Sequence, residues 1–539
     1  MDRRFVLWIF ILSTSVGFAQ VNQYMVFFTD KTGTPHSISN PATYLSAKAI
    51  QRRVTQQIAI EENDLPVNPV YIQDIKNTGA SVIYKSKWLN GVLVSCDETL
   101  VPVMEALPQV RSVEYVAPGA HASAGGRKKS KNDTEYLKQA STDTQLYMLG
   151  MDAMHADGYR GDGITIAVFD GGFLGADQTP PFAHIFSENR FNASASYNFI
   201  QRNNNVFLYD DHGTRVWSVI AGYADGSFVG GAYKANFQLY VTEVVPTEYR
   251  IEEYYWLFAA ERADSAGVDI INSSLGYNIG FDDPSMDYSK SEMDGKTAVV
   301  TRAAQFASDK GMLVVVSAGN EGLDASWRII TAPADAKDVL AVGSINSFMV
   351  RSPTSSIGPT ADERIKPDVV ALGSGTSVVR ANGTITTGSG TSFSAPLVTS
   401  LAAGIWQHKT TLTNKELLRV IRESASMGTN PDNFLGHGLP GYLAALNYIE
   451  LAGQQELIAV FPNPVVNNSL SIRPKKPEDF DATVVSIMST QGQRVFEQKV
   501  EFGWSNIQFN ADISALSAGI YILQVVNRQA RYSWRIVKY

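Results

Sequence analysis

The chain has a single cysteine, Cys96, in 539 residues. It can close no intramolecular disulfide, and zinc or iron–sulfur sites built from several cysteines are excluded. A basic excess is missing too. The 45 Lys+Arg face 53 Asp+Glu, a net charge of −8, so the electrostatic footprint of a nucleic-acid-binding protein is not there. Past the N-terminus no run is long and apolar enough to cross a bilayer, and no internal repeat is visible. What is present is globular: 44% hydrophobic and 18% charged residues, unlike a disordered chain. Cys96 itself ends the apolar, strand-like run Asn90–Cys96 and reads as core rather than as a nucleophile.

Arg3 and Arg4 precede an apolar stretch from Phe5 to Ile11, followed by small residues and by Gly17 and Ala19 at cleavage spacing. This is the layout of a secretory signal over residues 1–19, with Gln20 as first mature residue; a membrane anchor is the plain alternative. Residues 20–120 follow the order strand, helix, helix, two strands, helix, strand: Tyr24–Thr29, Ala42–Gln57, Val70–Asn77, Ser81–Tyr84 with Gly91–Ser95, Leu100–Leu107 and Val110–Val116. That is a ferredoxin-like α+β unit with one extra helix. Residues 121–135, small side chains followed by Arg127, Lys128, Lys129 and Lys131, read as an exposed, protease-accessible linker.

From 136 to 453 buried-type strands alternate with helices. Strand candidates are Ile164–Phe169, Phe237–Val245, Val268–Asn272, Met312–Ser317 and Val339–Gly343; helix candidates are Gly213–Gly222, Ile251–Gly267, Thr297–Gly311 and Ser392–His408. The pattern predicts an α/β fold with a mainly parallel sheet, helices on both faces, and ligands at the carboxyl ends of the strands. This segment has 22 Lys+Arg against 34 Asp+Glu, a net −12. Residues 454–539 change again, to short runs at Leu470–Ile472, Thr483–Met488 and Ile520–Val526, the signature of a small β-sandwich.

Four residues at strand and helix ends carry chemistry. Asp170 closes Ile164–Phe169 and precedes Gly171-Gly172. His212 sits in Asp210-Asp-His-Gly-Thr214, Ser392 in Gly390-Thr-Ser-Phe-Ser-Ala-Pro396, and Asn320 ends Val314–Asn320. A serine hydroxyl is a poor nucleophile unless a base takes its proton. The base needs a carboxylate to orient it, and the developing oxyanion needs donors. Singly, each residue has a bland reading: Asp as turn former, Ser as helix cap, His as a structural side chain. Yet of seven histidines only His212 is followed by Gly-Thr, and the order Asp, His, Ser belongs to one serine-hydrolase lineage.

At these residues the chain resembles the subtilisin-like serine peptidases, or subtilases, over about Leu146–Glu450. The matching blocks are Val168–Gly172, His212–Gly222 and Gly390–Pro396. The resemblance implies Asp170, His212 and Ser392 as catalytic triad, Asn320 as oxyanion donor, and Ser274, Leu275 and Gly276 as a strand that pairs with substrate peptide. Departures from the usual pattern are Gly171, Arg215, Trp217, Phe393 and Ser394, with Trp217 and Phe393 expected to add bulk around the site. Asp211 is expected to cap or to sit at the surface rather than compete for the imidazole. No cofactor is required. Calcium is common among subtilases, and the acidic loop Asp282–Asp287 with Asp294 is the candidate for it, without EF-hand spacing.

By the same resemblance residues 20–120 are an inhibitory prodomain, removed near the linker. Phe461-Pro-Asn-Pro464, Asp512–Tyr521 and Arg535–Tyr539 resemble a type IX secretion sorting domain of Bacteroidetes, against a structural or carbohydrate-binding β-sandwich. The expected product is a secreted or surface-attached serine endopeptidase. Its partners would be peptide or protein substrates, its own prodomain, and the export and outer-membrane sorting machinery, with no nucleic acid. A non-catalytic binding protein on the same scaffold and an esterase are the competing classes.

Overall fold

A computed structural model describes residues 21–119, 142–503, 505–528 and 530–539. The signal segment 1–19 and the 121–135 linker lie outside them. The described chain divides into two compact units, Met1–Tyr442 and Leu443–Tyr539.

The first unit opens with β1 (Val21–Phe28), α1 (Ala47–Thr55), α2 (Pro69–Asn77), β2 (Ser81–Ser86), β3 (Gly91–Asp97), α3 (Val101–Glu105) and β4 (Val110–Pro118), an antiparallel sheet in the order β2-β3-β1-β4. Both faces of β1 are buried, as its apolar run requires. Tyr24, Val26 and Phe28 pack on Ile72 and Ile75 of α2; the alternate residues Met25 and Phe27 join a larger core described below. Successive strand side chains point to opposite faces, so one strand serves two cores. The helix expected over Ala42–Gln57 starts later, at Ala47, because Pro41–Thr43 form a separate 3-10 turn and Ser46 accepts the Ala49 N–H as its cap.

Two short helices, α4 (Asp143–Tyr147) and α5 (Met151–Ala156), lead into β5 (Thr165–Asp170). Next come α6 (Ala183–Ser187), β6 (Tyr197–Asn198), α7 (His212–Ala221), the small hairpin β7 (Tyr223–Ala224) and β8 (Phe228–Val229), and β9 (Asn236–Val241). They are followed by α8 (Ile251–Ala266), β10 (Ile270–Ser273), α9 (Val299–Asp309), β11 (Leu313–Ser317), β12 (Leu340–Ile345) and β13 (Val369–Leu372). A second hairpin, β14 (Ser374–Val379) with β15 (Ile385–Ser389), precedes α10 (Thr391–His408) and α11 (Asn414–Glu423).

Seven strands form one wholly parallel sheet in the order β13-β12-β11-β10-β5-β9-β6. Val314 and Val316 share a core with α8, α9 and the N-terminal residues Met25, Phe27, Trp88 and Leu93. The alternate Val315 faces the other side, where α10 runs beside β10–β13 and packs on α7. Helices therefore cover both faces, and the N-terminal sheet is stacked outside α8 and α9. Strand β13, the hairpin β14–β15 and α11 were not among the elements expected from the sequence. The first two are short, and Gly373, Gly375 and Gly383 interrupt their patterns.

In the second unit α12 (Tyr442–Leu457) leads to β16 (Ile458–Phe461), β17 (Ser469–Pro474), β18 (Thr483–Ser489), β19 (Arg494–Val500), β20 (Phe509–Asp512), β21 (Gly519–Val526) and β22 (Arg531–Lys538). Two antiparallel sheets, β16-β17-β20 and β19-β18-β21-β22, enclose a core that includes Leu470, Ile472, Val485, Ile487, Leu523 and Ile536. This is the small β-sandwich read from the alternating runs.

Candidate active site

Asp170 is the last residue of β5, His212 the first of α7 and Ser392 the second of α10. The carboxyl end of the sheet collects them, with exposures of 1%, 2% and 7%. His212 Nδ1 lies 2.9 Å from each Asp170 carboxylate oxygen, and the Gly171 N–H donates to Oδ1 at 2.8 Å. An ionised carboxylate only accepts, so Nδ1 carries the proton and Nε2 keeps a lone pair. Gly213 makes this approach feasible. A Cβ there would sit 2.3 Å from the Gly172 carbonyl oxygen and 2.9 Å from Asp170 Cβ. Asp210, not Asp211, holds the start of α7, its Oδ1 accepting the His212 N–H at 2.9 Å. Asp211 is turned to Arg215 and Arg380, both at 3.2 Å.

Ser392 stands in the first turn of α10, where helical N–H groups have no intrahelical acceptor and the helix dipole is positive. Its hydroxyl donates to the Ser274 carbonyl at 3.4 Å and makes no hydrogen bond to His212. Pro396, four residues on, has no N–H for the Ser392 carbonyl. The Ser274 hydroxyl fills that vacancy at 2.8 Å, tying the segment after β10 to the serine. Asn320 is fixed by similar logic. Thr391 offers it a backbone N–H at 3.0 Å and a hydroxyl at 3.1 Å. An N–H can only donate, so Oδ1 faces Thr391 and the Nδ2 donors are left for the cleft.

A cavity of about 310 Å³ is lined by Asp170, Ser392, Asn320 and Ser274–Gly276 together. The structure thus gathers Asp170, Ser392, Asn320 and Ser274–Gly276 around one space, and His212, which is not on its lining, is tied to it through Asp170. Neither of the two bulky departures enters the cavity. Trp217 is fully buried and stacks on Phe182 at 4.4 Å, inside an aromatic core. Phe393 is also fully buried, 5.9 Å from the His212 ring, with the Arg215 guanidinium 5.6 Å above it. Neither lines the cavity; helix periodicity turns both inward, and the spacing from the reactive residue alone does not report that.

Among the described residues, the acidic loop weighed for calcium brings no three carboxylates together. Its carboxylates are engaged by local donors: Asp282 by the Glu248 N–H, Asp283 by Ser285, Asp287 by the Gly280 and Phe281 N–H groups, Asp294 by Lys296 and Thr297. Hydrogen bonds from Ser285 hold Asp283 below the usual carboxylate range. Among the described residues the acidic group that does converge is Glu243, Glu248 and Glu252, lining the cavity. The sequence reading passed over it. Burial pushes Glu243 and Glu252 above the usual range, Glu252 far above it.

Residues 161–438 match the subtilase family model. The chain belongs to the subtilase family. Residues 23–135 of this subtilase match the peptidase S8 propeptide domain of Bacteroidota, and 459–539 a secretion system C-terminal sorting domain. Subtilisin NAT of Bacillus subtilis subsp. natto is 27% identical over 373 residues, 69% of this chain and 84% of that protein. The subtilisin of Bacillus pumilus is 30% identical over 295 residues, 54% of this chain and 94% of that one. The structure of the epidermin leader peptide processing serine protease of Staphylococcus aureus shares the fold, at a TM-score of 0.54 and 16% identity over 80% of this chain and 99% of that chain. The subtilase is therefore a serine peptidase with a propeptide, and its sorting domain marks it as secreted or attached to the cell surface. No described helix is long and apolar enough to cross a membrane.

Propeptide and subtilase core are joined by buried charge. Asp264 of α8 meets Arg52 at 2.5 Å, Lys87 at 2.8 Å and Arg53 at 3.0 Å. Burial alone would raise its carboxyl, but the three cations hold it well below the usual range. Glu261, one turn earlier, accepts Ser86 Oγ at 2.6 Å and the N–H groups of Lys87 at 2.8 Å and Trp88 at 3.1 Å. Cys96 is core, and burial pushes its thiol up to about 11.

Proposed function

We propose that this subtilase is an exported endopeptidase that cleaves peptide bonds through an acyl-enzyme on Ser392. His212 Nε2 takes the Ser392 proton as the hydroxyl attacks the scissile carbonyl, and returns it to the leaving amine. Asp170 orients the imidazole and stabilises its cation. The Asn320 Nδ2 and the Ser392 N–H donate to the oxyanion of the tetrahedral intermediate. Water, deprotonated by His212, then releases the acyl group. Ser274–Gly276 pair with the substrate backbone as an added strand. The reading rests above all on one observation, the buried Asp170–His212 pair held at 2.9 Å, its Asp170 lining the same cavity as Ser392 and Asn320.

The propeptide, packed on α8 and α9 through Met25, Phe27 and Trp88, acts as folding partner and inhibitor until it is cut from the chain near residues 121–135. The sorting domain addresses the protein to the export and outer-membrane machinery. One observation favours the alternative, a non-catalytic binder: the Ser392 hydroxyl is bonded to the Ser274 carbonyl, not to His212. At 3.4 Å that bond is weak, and a rotation about χ1 frees the hydroxyl. Hydrolysis of peptide and ester substrates by the mature protein, with and without Ser392→Ala, tests the proposal. Peptide turnover that vanishes in the variant supports it. Ester turnover alone marks an esterase, and no turnover marks a binder.

A further inference from the structure

We propose that the cleft of this subtilase contains a subsite for a cationic side chain of the substrate, lysine or arginine, walled by Glu243, Glu248 and Glu252. The inference deepens the peptidase reading and rests on it. Glu243 and Glu248 lie on the segment between β9 and α8, and Glu252 is the second residue of α8. Folding brings one carboxylate oxygen of each within 4.8 Å of the others. All three line the cavity shared with Ser392 and Ser274–Gly276.

Such a cluster needs a positive partner, and the described residues supply no ion pair to Glu243 or Glu252. Glu243 accepts the Tyr277 hydroxyl at 2.6 Å and the Thr242 hydroxyl at 3.0 Å, both neutral donors. Burial pushes both Glu243 and Glu252 above the usual carboxylate range, which eases their close approach. Glu252 is 1% exposed, and its Oε1 has no hydrogen-bond partner at all. Buried carboxylate oxygens are almost always satisfied; this one, on a residue that lines the cavity, is left to accept from a donor that enters it.

Two features favour a peptide side chain over a metal ion. A calcium ion takes six to eight oxygens, backbone carbonyls and waters among them, whereas here three carboxylates converge and the Tyr277 and Thr242 hydroxyls already donate to Glu243. The location also decides. The cluster is on the wall of the cavity that a peptide paired to Ser274–Gly276 must pass. An ammonium or guanidinium drawn into it favours the ionised carboxylates and gains charge-assisted hydrogen bonds. The chain itself carries sequence of this chemistry in Arg127, Lys128, Lys129 and Lys131.

The test uses the mature protein and peptide pairs that differ only by lysine against norleucine at each of the four positions preceding the scissile bond. At one position lysine should raise kcat/KM at least about tenfold. That ratio should fall to about threefold or less in Glu252→Gln and in Glu243→Gln. The partly exposed Glu248→Gln, the mildest of the three to folding, should lower it in the same direction. Each ratio compares two peptides on one protein, so a general loss of activity cancels. Equal turnover of lysine and norleucine at every position, or a preference that survives all three substitutions, overturns the subsite while leaving the peptidase standing. Stoichiometric calcium binding that Glu252→Gln abolishes, with the ratio at one, makes the cluster a metal site instead. No turnover of any peptide overturns both readings.

Discussion

Each reactive side chain is oriented by a neighbour that can play only one role. Asp170 can only accept, so His212 presents Nε2; Thr391 N–H can only donate, so Asn320 presents its Nδ2. Removing a single oxyanion donor of this kind costs about 10²–10³ in kcat. Asn320→Ala should show that loss with KM little changed, measured on one peptide under saturating and limiting conditions. Ser392→Ala should lose at least about 10⁴-fold. The reactive residues were legible because their chemistry needs rare types in a fixed order. The glutamate cluster was not. Glu243, Glu248 and Glu252 have no periodicity of their own, and only the turn between β9 and α8 makes them neighbours. Trp217 and Phe393 were legible as departures but not in direction, since the face a helical side chain takes depends on what packs beside it.

Strand and helix ends set the geometry, so the elements that matter are those whose ends meet. Pro396 denies the Ser392 carbonyl its helical partner, and Ser274 supplies one. Ser274→Ala should therefore lower kcat several-fold with the fold intact, as read by circular dichroism and kinetics together. In α8, Glu253 is buried against the Tyr288 hydroxyl at 2.8 Å and the Val300 N–H at 3.0 Å, and burial pushes its carboxyl up to about 7. The folded chain thus holds a proton that the unfolded chain releases above about 4.5. The stability so gained is full below that pH and lost as pH rises through about 7, at about 1.4 kcal/mol per unit and at most about 3 kcal/mol in all. Urea melts between pH 5 and 8 should show a slope of this sign, to which the buried Glu243 and Glu252 also contribute, and Glu253→Gln should lessen it. The buried strands were readable from their continuous apolar runs, and helices α7 and α9 from their amphipathic period. Strand β13 and the β14–β15 hairpin were not, because short glycine-interrupted runs hold too few residues to display one.

At the scale of the whole molecule, the N-terminal sheet, α8 and α9 share one core, and the charges buried between them bind propeptide to subtilase. Asp264 faces three cations from the propeptide, so Asp264→Asn leaves buried positive charge uncompensated. Loss of one partner from such a site costs about 3–5 kcal/mol. Unfolding of the unprocessed Ser392→Ala chain, with and without Asp264→Asn, should show that drop. None of this pairing was visible in sequence, where Arg52 and Asp264 stand far apart and nothing marks them as partners. The central claim is that Ser392 is an activated nucleophile, and labelling of the mature protein by a fluorophosphonate tests it most directly. Stoichiometric modification at Ser392, abolished in Ser392→Ala and strongly slowed in His212→Ala, is the expected result. Absence of labelling, or labelling that persists in Ser392→Ala, would contradict it.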